Sequence, residues 1–523
     1  MSKNLRINKN NFIDQTTRIS FKFNGQQLFG YKGDTLASAL LANNIHLVGR
    51  SFKYHRPRGI MTCGSEEPNA IVQIGNDSSL TDPNVRATEI ELYEGLEASS
   101  QNCWPSVNFD IGGINNFLSP LLPAGFYYKT FMWPASFWEK YEYFIRHSAG
   151  LGKAPTKSDP DIYDHQYSHC DVLVVGGGIS GIISAKLSAE KGLDTFLIDD
   201  KNFLGGSTIY QENEAYKIND IYSNEWLAKE IKSLKNYPNL IIKNRTSLAA
   251  FHGYNYLLAR ENLTDHLSIS DRKNKIRQRL WKIRAKKVII ASGSIERPLI
   301  FSNNDRPGII LSSSIKKYID YYGVKTGENI SLFTNNDSAY ETAISLNKSG
   351  VKVNVIVDIR KNSESLIVKE ALDLGLKVLW ESTVVETQGY KKIKSFEVMK
   401  LSDDGNNVIG NKTKHNCDCL GISGGWTPMV HLFTQSGGKL KFRNEDNVFI
   451  PDQDKTPPNQ ISVGSCNGEF KLDEIVTRTI ENLKSFLDLS KTCYDEMKIN
   501  CPDEKSKRNI WLLPSDKPIG KTK

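Results

Sequence analysis

The alternation of apolar and polar residues changes period several times along the chain, and each change predicts an element. From Ile19 the run ISFKFNGQQLFGYKG alternates with a period of two and turns at Asn24-Gly25, which predicts a β-hairpin. Asp34-Thr35 then precede LASALLANNI, an apolar run suited to a capped helix. The next stretch, RSFKYHRPRGIMTCGSEEPNAIVQIG, is too rich in Arg, Pro and Gly for a regular element and reads as a loop leading into a strand. Residues 103–150, with FYYKTFMWPASFWEKYEYFIRH at their centre, predict one or two helices behind a turn at Pro123. Lys153 to Ser168 reads as a polar linker.

The strongest pattern runs from Asp171 to Ser207. Val172 to Val175 is continuously apolar, as in a strand buried on both faces of a parallel sheet. Gly176, Gly178 and Gly181 follow with G-x-G-x-x-G spacing, which serves a tight turn, close backbone approach to a pyrophosphate and close helix-to-strand packing. Ile182, Ile183, Ala185 and Leu187 continue as a helix whose first amides and dipole face the phosphates. A second strand, Thr195 to Ile198, ends in Asp199, placed to accept hydrogen bonds from an adenosine ribose. Strand, turn, helix, strand and acid in this order are far more specific than the glycines alone. Gly205-Gly206-Ser207 after the acid gives the site a flavoprotein-like shape.

Downstream, a helix is expected near Asn224 to Lys235, and a strand from Leu240 ends at Thr246-Ser247-Leu248, at the edge where such folds contact an adenine. A meander over 253–290 leads into VIIASGS, the apolar strand and small-residue turn that close a first nucleotide domain. A second strand-helix-strand begins at Asn329 and ends in Asp358, but TNNDSA replaces its glycines. Side chains on Asn335 and Asp337 keep a pyrophosphate away, and Asp337 repels it, so this half is expected to complete the fold without binding a dinucleotide. CLGISGGWTPMVHLFTQSGG and ISVGSCNGEF then return the chain to the first domain.

Composition narrows the function classes. Hydrophobic content of 39% and charged content of 24% describe a soluble globular chain. No apolar run reaches the ~20 residues of a membrane span, and the N-terminus lacks the apolar core of a secretory signal, so no membrane partner and a cytoplasmic location are expected. The net charge of +8 is spread along the chain and reads as a solvated surface, with no nucleic-acid partner. The densest basic run, Arg272 to Lys287, suits an exposed strand that could also dock an acidic partner. The hairpin, helix, glycine-rich loop and strand of the first hundred residues follow the layout of plant-type ferredoxin domains, whose loop carries C-x4-C-x2-C. Only Cys63 is present there, so neither an iron–sulfur cluster nor a metal site is expected.

Taken together, RSFKYHRPRG, EEPNA, IERP, NNDRPG, TNNDSAY and SGGWTP closely resemble the alpha subunit of heterotetrameric sarcosine oxidase, a family with amine, opine and proline oxidase relatives. The resemblance runs from about Ile19 to about Pro514. It implies an α/β fold: a two-dinucleotide-binding-domain Rossmann fold of flavoprotein disulfide reductase type, preceded by a small ferredoxin-like α+β domain without cluster cysteines. The implied domains are 1–100 (ferredoxin-like), 101–168 (aromatic helical linker), 169–300 with 411–490 (dinucleotide-binding), 301–410 (inserted, degenerate) and 491–523 (tail).

The resemblance also implies NAD+ in the flavin-shaped site of this chain, with FAD and FMN on the partner subunit and at its interface. Carried over by motif, Gly176, Gly177, Gly178, Ser180 and Gly181 form the first turn. Asp199, Asp200 and Lys201 hold the ribose side, and Gly205, Gly206 and Ser207 the phosphate side. Leu248 lies near the adenine, with Gly424 and Met429 opposite. The implied reaction is oxidative demethylation of sarcosine by oxygen to glycine, hydrogen peroxide and a one-carbon unit, in a complex with beta, gamma and delta subunits. Substrate oxidation belongs to the beta subunit, so no catalytic residue is assigned here. The family's alpha subunit continues into a folate-binding half resembling aminomethyltransferase, whereas this sequence stops at WLLPSDKPIGKTK, which leaves tetrahydrofolate binding in question. The alternatives are the matching subunit of an amine, proline or opine oxidase or dehydrogenase binding FAD, and a non-catalytic assembly subunit stabilised by nucleotide.

Overall fold

The computed structural model describes residues 4–7, 12–121, 125, 133–148, 150–211, 213–503 and 507–516. The expected hairpin forms from Asp14–Phe23 and Gln26–Lys32, with Phe23 opposite Gln26 and positive φ at Asn24 and Gly25 as a two-residue turn requires. These strands belong to a five-stranded sheet completed by Leu96–Ser100, Ile71–Ile74 and Asp82–Arg86. The helix Leu36–Ala42 is capped at Thr35, whose side chain accepts from the Ser38 amide while Ser38 returns a bond to the Thr35 amide. Phe21, Leu36, Leu40 and Leu41 are fully buried beneath the sheet. Tyr318, Tyr321 and Tyr322 from much later in the chain complete the same core, so this unit is packed into the rest of the molecule.

The central sheet runs Leu240–Lys243, Thr195–Ile198, Ile162–Val175, Ile276–Ile290, Tyr256–Asn262, Thr246–His252, with Gln460–Ser462 also beside Ile276–Ile290. Two sequence expectations change here. The end of the polar linker is already strand, because Ile162 onward pairs in parallel with the basic run from Ile276. Thr246-Ser247-Leu248 opens a new antiparallel strand instead of ending the one at Leu240–Lys243. The pairing of the basic run is electrostatic as well as backbone. Arg277 meets Asp161 at 3.0 Å and Asp265 at 2.6 Å, and Arg279 meets Asp164 at 2.8 Å, so these two arginines of the basic run are neutralised within the chain. Of the aromatic stretch, Ile114–Phe117 and Trp138–Ser148 are helical; Pro123 lies outside the described residues.

The second half holds a parallel sheet ordered Ile309–Leu311, Cys419–Ser423, Ile330–Thr334, Val353–Asp358, Val378–Leu379. Three antiparallel strands over Ser382–Asn416 pack beside it. A two-stranded ribbon, Ser294–Glu296 against Trp426–Pro428, joins the halves. The tail is a strap. Arg508 donates its amide to Asn335 O at 3.2 Å, Ile300 donates to Trp511 O at 2.7 Å, and Leu513 is buried in the core of the second half. Trp511 donates Nε1–H to Gly424 O at 2.5 Å, and the Arg297 guanidinium lies 4.0 Å above its ring. Trp511→Ala removes both contacts, so tryptic cleavage at Lys507 and Arg508 is expected to accelerate about tenfold or more, while cleavage elsewhere holds its rate.

Candidate functional site

The strand Ile162–Val175 ends at Gly176, whose φ of +107° suits glycine. A Cβ on Gly176 would lie 2.3 Å from the carbonyl oxygen of Ala291, and one on Gly181 would lie 1.8 Å from that of Gly176. These backbone contacts seat the helix Ile179–Glu190 against the sheet. Gly178 differs from both, since nothing lies within 4 Å of where its Cβ would be. The helix begins there with no side-chain cap and no acid in its first turn, leaving amides that can donate to an anion.

Asp199 closes the turn from the side. Its Oδ2 accepts the Gly177 amide at 2.6 Å and its Oδ1 accepts the Lys201 amide at 2.8 Å. Burial, reinforced by neighbouring Asp200, pushes the Asp199 carboxyl up to about 6, against the pull of those two amides. Asp200 is exposed and pairs with Lys201 at 2.9 Å. Gly205 donates its amide to Gly177 O at 2.7 Å, and Gly206 passes so close to Gly178 that a Cβ would be 3.2 Å from its Cα. Ser207 follows, exposed. Met429 donates its amide to Gly293 O at 3.0 Å and accepts from the Ser292 hydroxyl, which places it at the strand end beside Gly176. Leu248 is half-buried against the core that contains Ile198 and Val175.

Two of the expected contacts have partners of their own. Ser180 is buried, and its hydroxyl accepts from Thr479 at 3.1 Å against Gly464, so its side chain packs the helix Leu472–Leu487 while its amide stays among those opening Ile179–Glu190. Gly424 lies under Trp511 and bonds through its amide to Arg297 O at 2.8 Å, beside the second half. Sequence reasoning missed Glu91, which accepts from Asn202 and Arg245 at 3.0 and 2.9 Å and ties the amino-terminal domain to the ribose-side loop. No local motif marks Glu91, because its partners stand more than a hundred residues away.

In the second half, the groups that would face a nucleotide face one another. Arg360 contacts Asp337 at 2.6 Å and Asp358 at 2.7 Å, and Tyr340 donates to Asp358 at 2.8 Å. All four are buried. The strap lies on the same turn, where Asn335 donates its side chain to Ile510 O at 3.3 Å.

Comparison with known proteins bears on both halves. Residues 170–464 match the family described as pyridine nucleotide-disulphide oxidoreductase. Residues 16–103 match the 2Fe-2S iron-sulfur cluster binding domain, which overturns the expectation that the chain has no iron–sulfur cluster. The donor set does not supply the four thiolates such a cluster takes: Cys63 and Cys103 are the cysteines in that span, and Cys63 is buried. No step is therefore routed through a cluster. The sarcosine oxidase subunit alpha of Rhizobium meliloti (strain 1021) is 41% identical over 85% of this chain and 43% of its own length. That of Corynebacterium sp. (strain U-96) is 31% identical over 96% of this chain and 47% of its own. The chain thus spans less than half the length of these relatives. The L-proline dehydrogenase from P. horikoshii shares the fold, with a TM-score of 0.60 at 18% identity over 96% of this chain and 81% of its own. No helix among the described residues is long and apolar enough to cross a membrane.

The titration of Asp199 gives a test. Only the ionised carboxylate offers full acceptor strength to ribose hydroxyls, so nucleotide affinity should fall about tenfold between pH 7 and pH 4.5, with the midpoint near 6. Stability runs the other way. A carboxyl raised from 3.8 contributes stability that is fully present below 3.8 and lost as pH rises through about 6. Weaker binding at low pH therefore does not come from unfolding by this group, and Asp199→Asn should flatten the affinity profile measured by titration calorimetry.

Proposed function

We propose that this chain, which belongs to the pyridine nucleotide-disulphide oxidoreductase family, is the nucleotide-holding alpha subunit of a sarcosine oxidase-type complex. The observation that carries the reading is one open, uncapped glycine turn at Gly178 closed by Asp199, in a chain 41% identical over 85% of its length to a sarcosine oxidase subunit alpha. In this reading the nucleotide is NAD+, a hydride acceptor when bound.

The chain's own groups bind and orient. The amides opening Ile179–Glu190 hold the pyrophosphate, and Gly176 and Gly181 bring helix and strand together so that those amides converge. Asp199 spends one lone pair of each oxygen on the turn and keeps the remainder for the ribose diol. Gly205-Gly206 approaches from the phosphate side, and Met429 lies at the adjoining strand end. None of these groups is placed to take a proton from an amine. We therefore assign substrate oxidation, with release of glycine, peroxide and a one-carbon unit, to a partner subunit.

Two measurements on one preparation test this. Nucleotide released by denaturing the purified chain should be NAD+ by mass and absorbance, and FAD in its place would overturn the assignment. Co-expressed with candidate beta, gamma and delta subunits, the complex should produce peroxide from sarcosine faster than from proline or opines. The reverse order would overturn the substrate.

A further inference from the structure

The loop from Asp199 to Tyr210 carries the groups on the ribose and phosphate sides, yet several of its side chains are planted in the amino-terminal domain. Phe203 stacks on Tyr321 at 4.5 Å, and Phe12 stacks on the same tyrosine at 5.1 Å. Tyr210 is buried in the amino-terminal core, and Ile209 packs against it. Between these anchors Gly205 and Gly206 turn back toward Gly177 and Gly178.

The charged part of this grip is Glu91. Its carboxylate accepts from both Arg245 Nε at 2.5 Å and a terminal guanidinium nitrogen at 2.9 Å, and from the Asn202 side chain as well. Glu91 is fixed by its own backbone, which bridges to Thr35, while Leu92 donates its amide to Asp34 O at 2.8 Å. Arg245 passes the restraint on. Its amide donates to Lys201 O at 2.8 Å, and the next amide, of Thr246, donates to Asp199 O at 2.7 Å. Arg245 does this with a φ of +53°, in the left-handed region that residues other than glycine seldom occupy. The carboxylate of Glu91 thus holds the side chain of a residue whose backbone holds the ribose-side loop.

A second ion pair joins the same two domains and differs in one respect. Asp82, on the strand Asp82–Arg86, pairs with Arg277. The other acidic partners of Arg277 are Asp161 and Asp265, so this pair docks the domains without touching the loop.

We propose that Glu91 is a positioning residue of the nucleotide site: acting through Arg245 and Asn202, it sets the Asp199 carboxylate against the ribose diol. The proposal rests on the reading of this turn as a dinucleotide site with Asp199 at the ribose. The task falls on a carboxylate of the amino-terminal domain and uses none of its cysteines.

The test is titration calorimetry of the full chain, stripped of nucleotide, with NAD+ and with an NAD+ analogue lacking both hydroxyls of the adenosine ribose. Wild type should prefer NAD+ about tenfold or more. In Glu91→Ala the affinity for NAD+ should fall about tenfold while that for the analogue holds, so the preference disappears. Asp82→Ala, which breaks the other ion pair between the domains, should keep the wild-type preference. Asn202→Ala leaves the Glu91–Arg245 pair in place, should reduce the preference about threefold, and decides the matter where Glu91→Ala does not fold. A preference unchanged in the Glu91 and Asn202 variants overturns the positioning role and leaves the nucleotide reading standing. Equal weakening of both ligands, or the same loss of preference in Asp82→Ala, assigns the effect to domain docking and also overturns it. Wild type that does not bind NAD+, or binds the two ligands alike, overturns the nucleotide reading at Asp199 and the proposal with it.

Discussion

The Cα of Gly181 rests on the carbonyl oxygen of Gly176, with no space between them for a methyl group. Helix Ile179–Glu190 can therefore lie directly on the end of strand Ile162–Val175, and its first amides are aimed over Gly178. Everything attributed to the site follows from that approach. Asp199 reaches the Gly177 amide because the turn is this tight, and Gly205 meets Gly177 O from the opposite side. Substituting Gly176 or Gly181 would move backbone against backbone, where nothing flexible can yield.

The second half repeats the strand-helix-strand plan with the opposite chemistry. Where the first half leaves donors open, the second satisfies them internally. Asp337 occupies the turn with a carboxylate of its own, Arg360 neutralises it, and Asp358, at the strand end where a ribose would be read, is shared between Arg360 and Tyr340. Such a buried ion network costs desolvation and holds only because each charge has several partners. The strap through Trp511 then covers the same turn and ties it to the ribbon between the halves. One fold thus carries an open glycine turn and a self-occupied one.

The receptive half was legible in the sequence because its chemistry is local. Gly176 to Asp199 fall within one short unit whose order is diagnostic. The missing glycines of TNNDSA were equally readable, but the fate of Asp337 was not, since repulsion of a phosphate is evident from one residue whereas its pairing with Arg360 needs the fold. Ser180 shows the converse, for the hydroxyl of a position within the motif is engaged by Thr479, almost three hundred residues later. The packing of Gly424 and of the tail was not legible for the same reason, because the contacts that define it cross from one end of the chain to another. The cluster expectation failed differently. It was drawn from cysteine spacing, while the family match of residues 16–103 rests on the whole domain.

The account therefore turns on the number of nucleotide sites per chain. Equilibrium dialysis of the stripped protein against NAD+ should saturate at one equivalent and fall to background in Gly181→Val, whose branched side chain cannot fit against Gly176 O. Two equivalents per chain, or one that survives Gly181→Val, would contradict it.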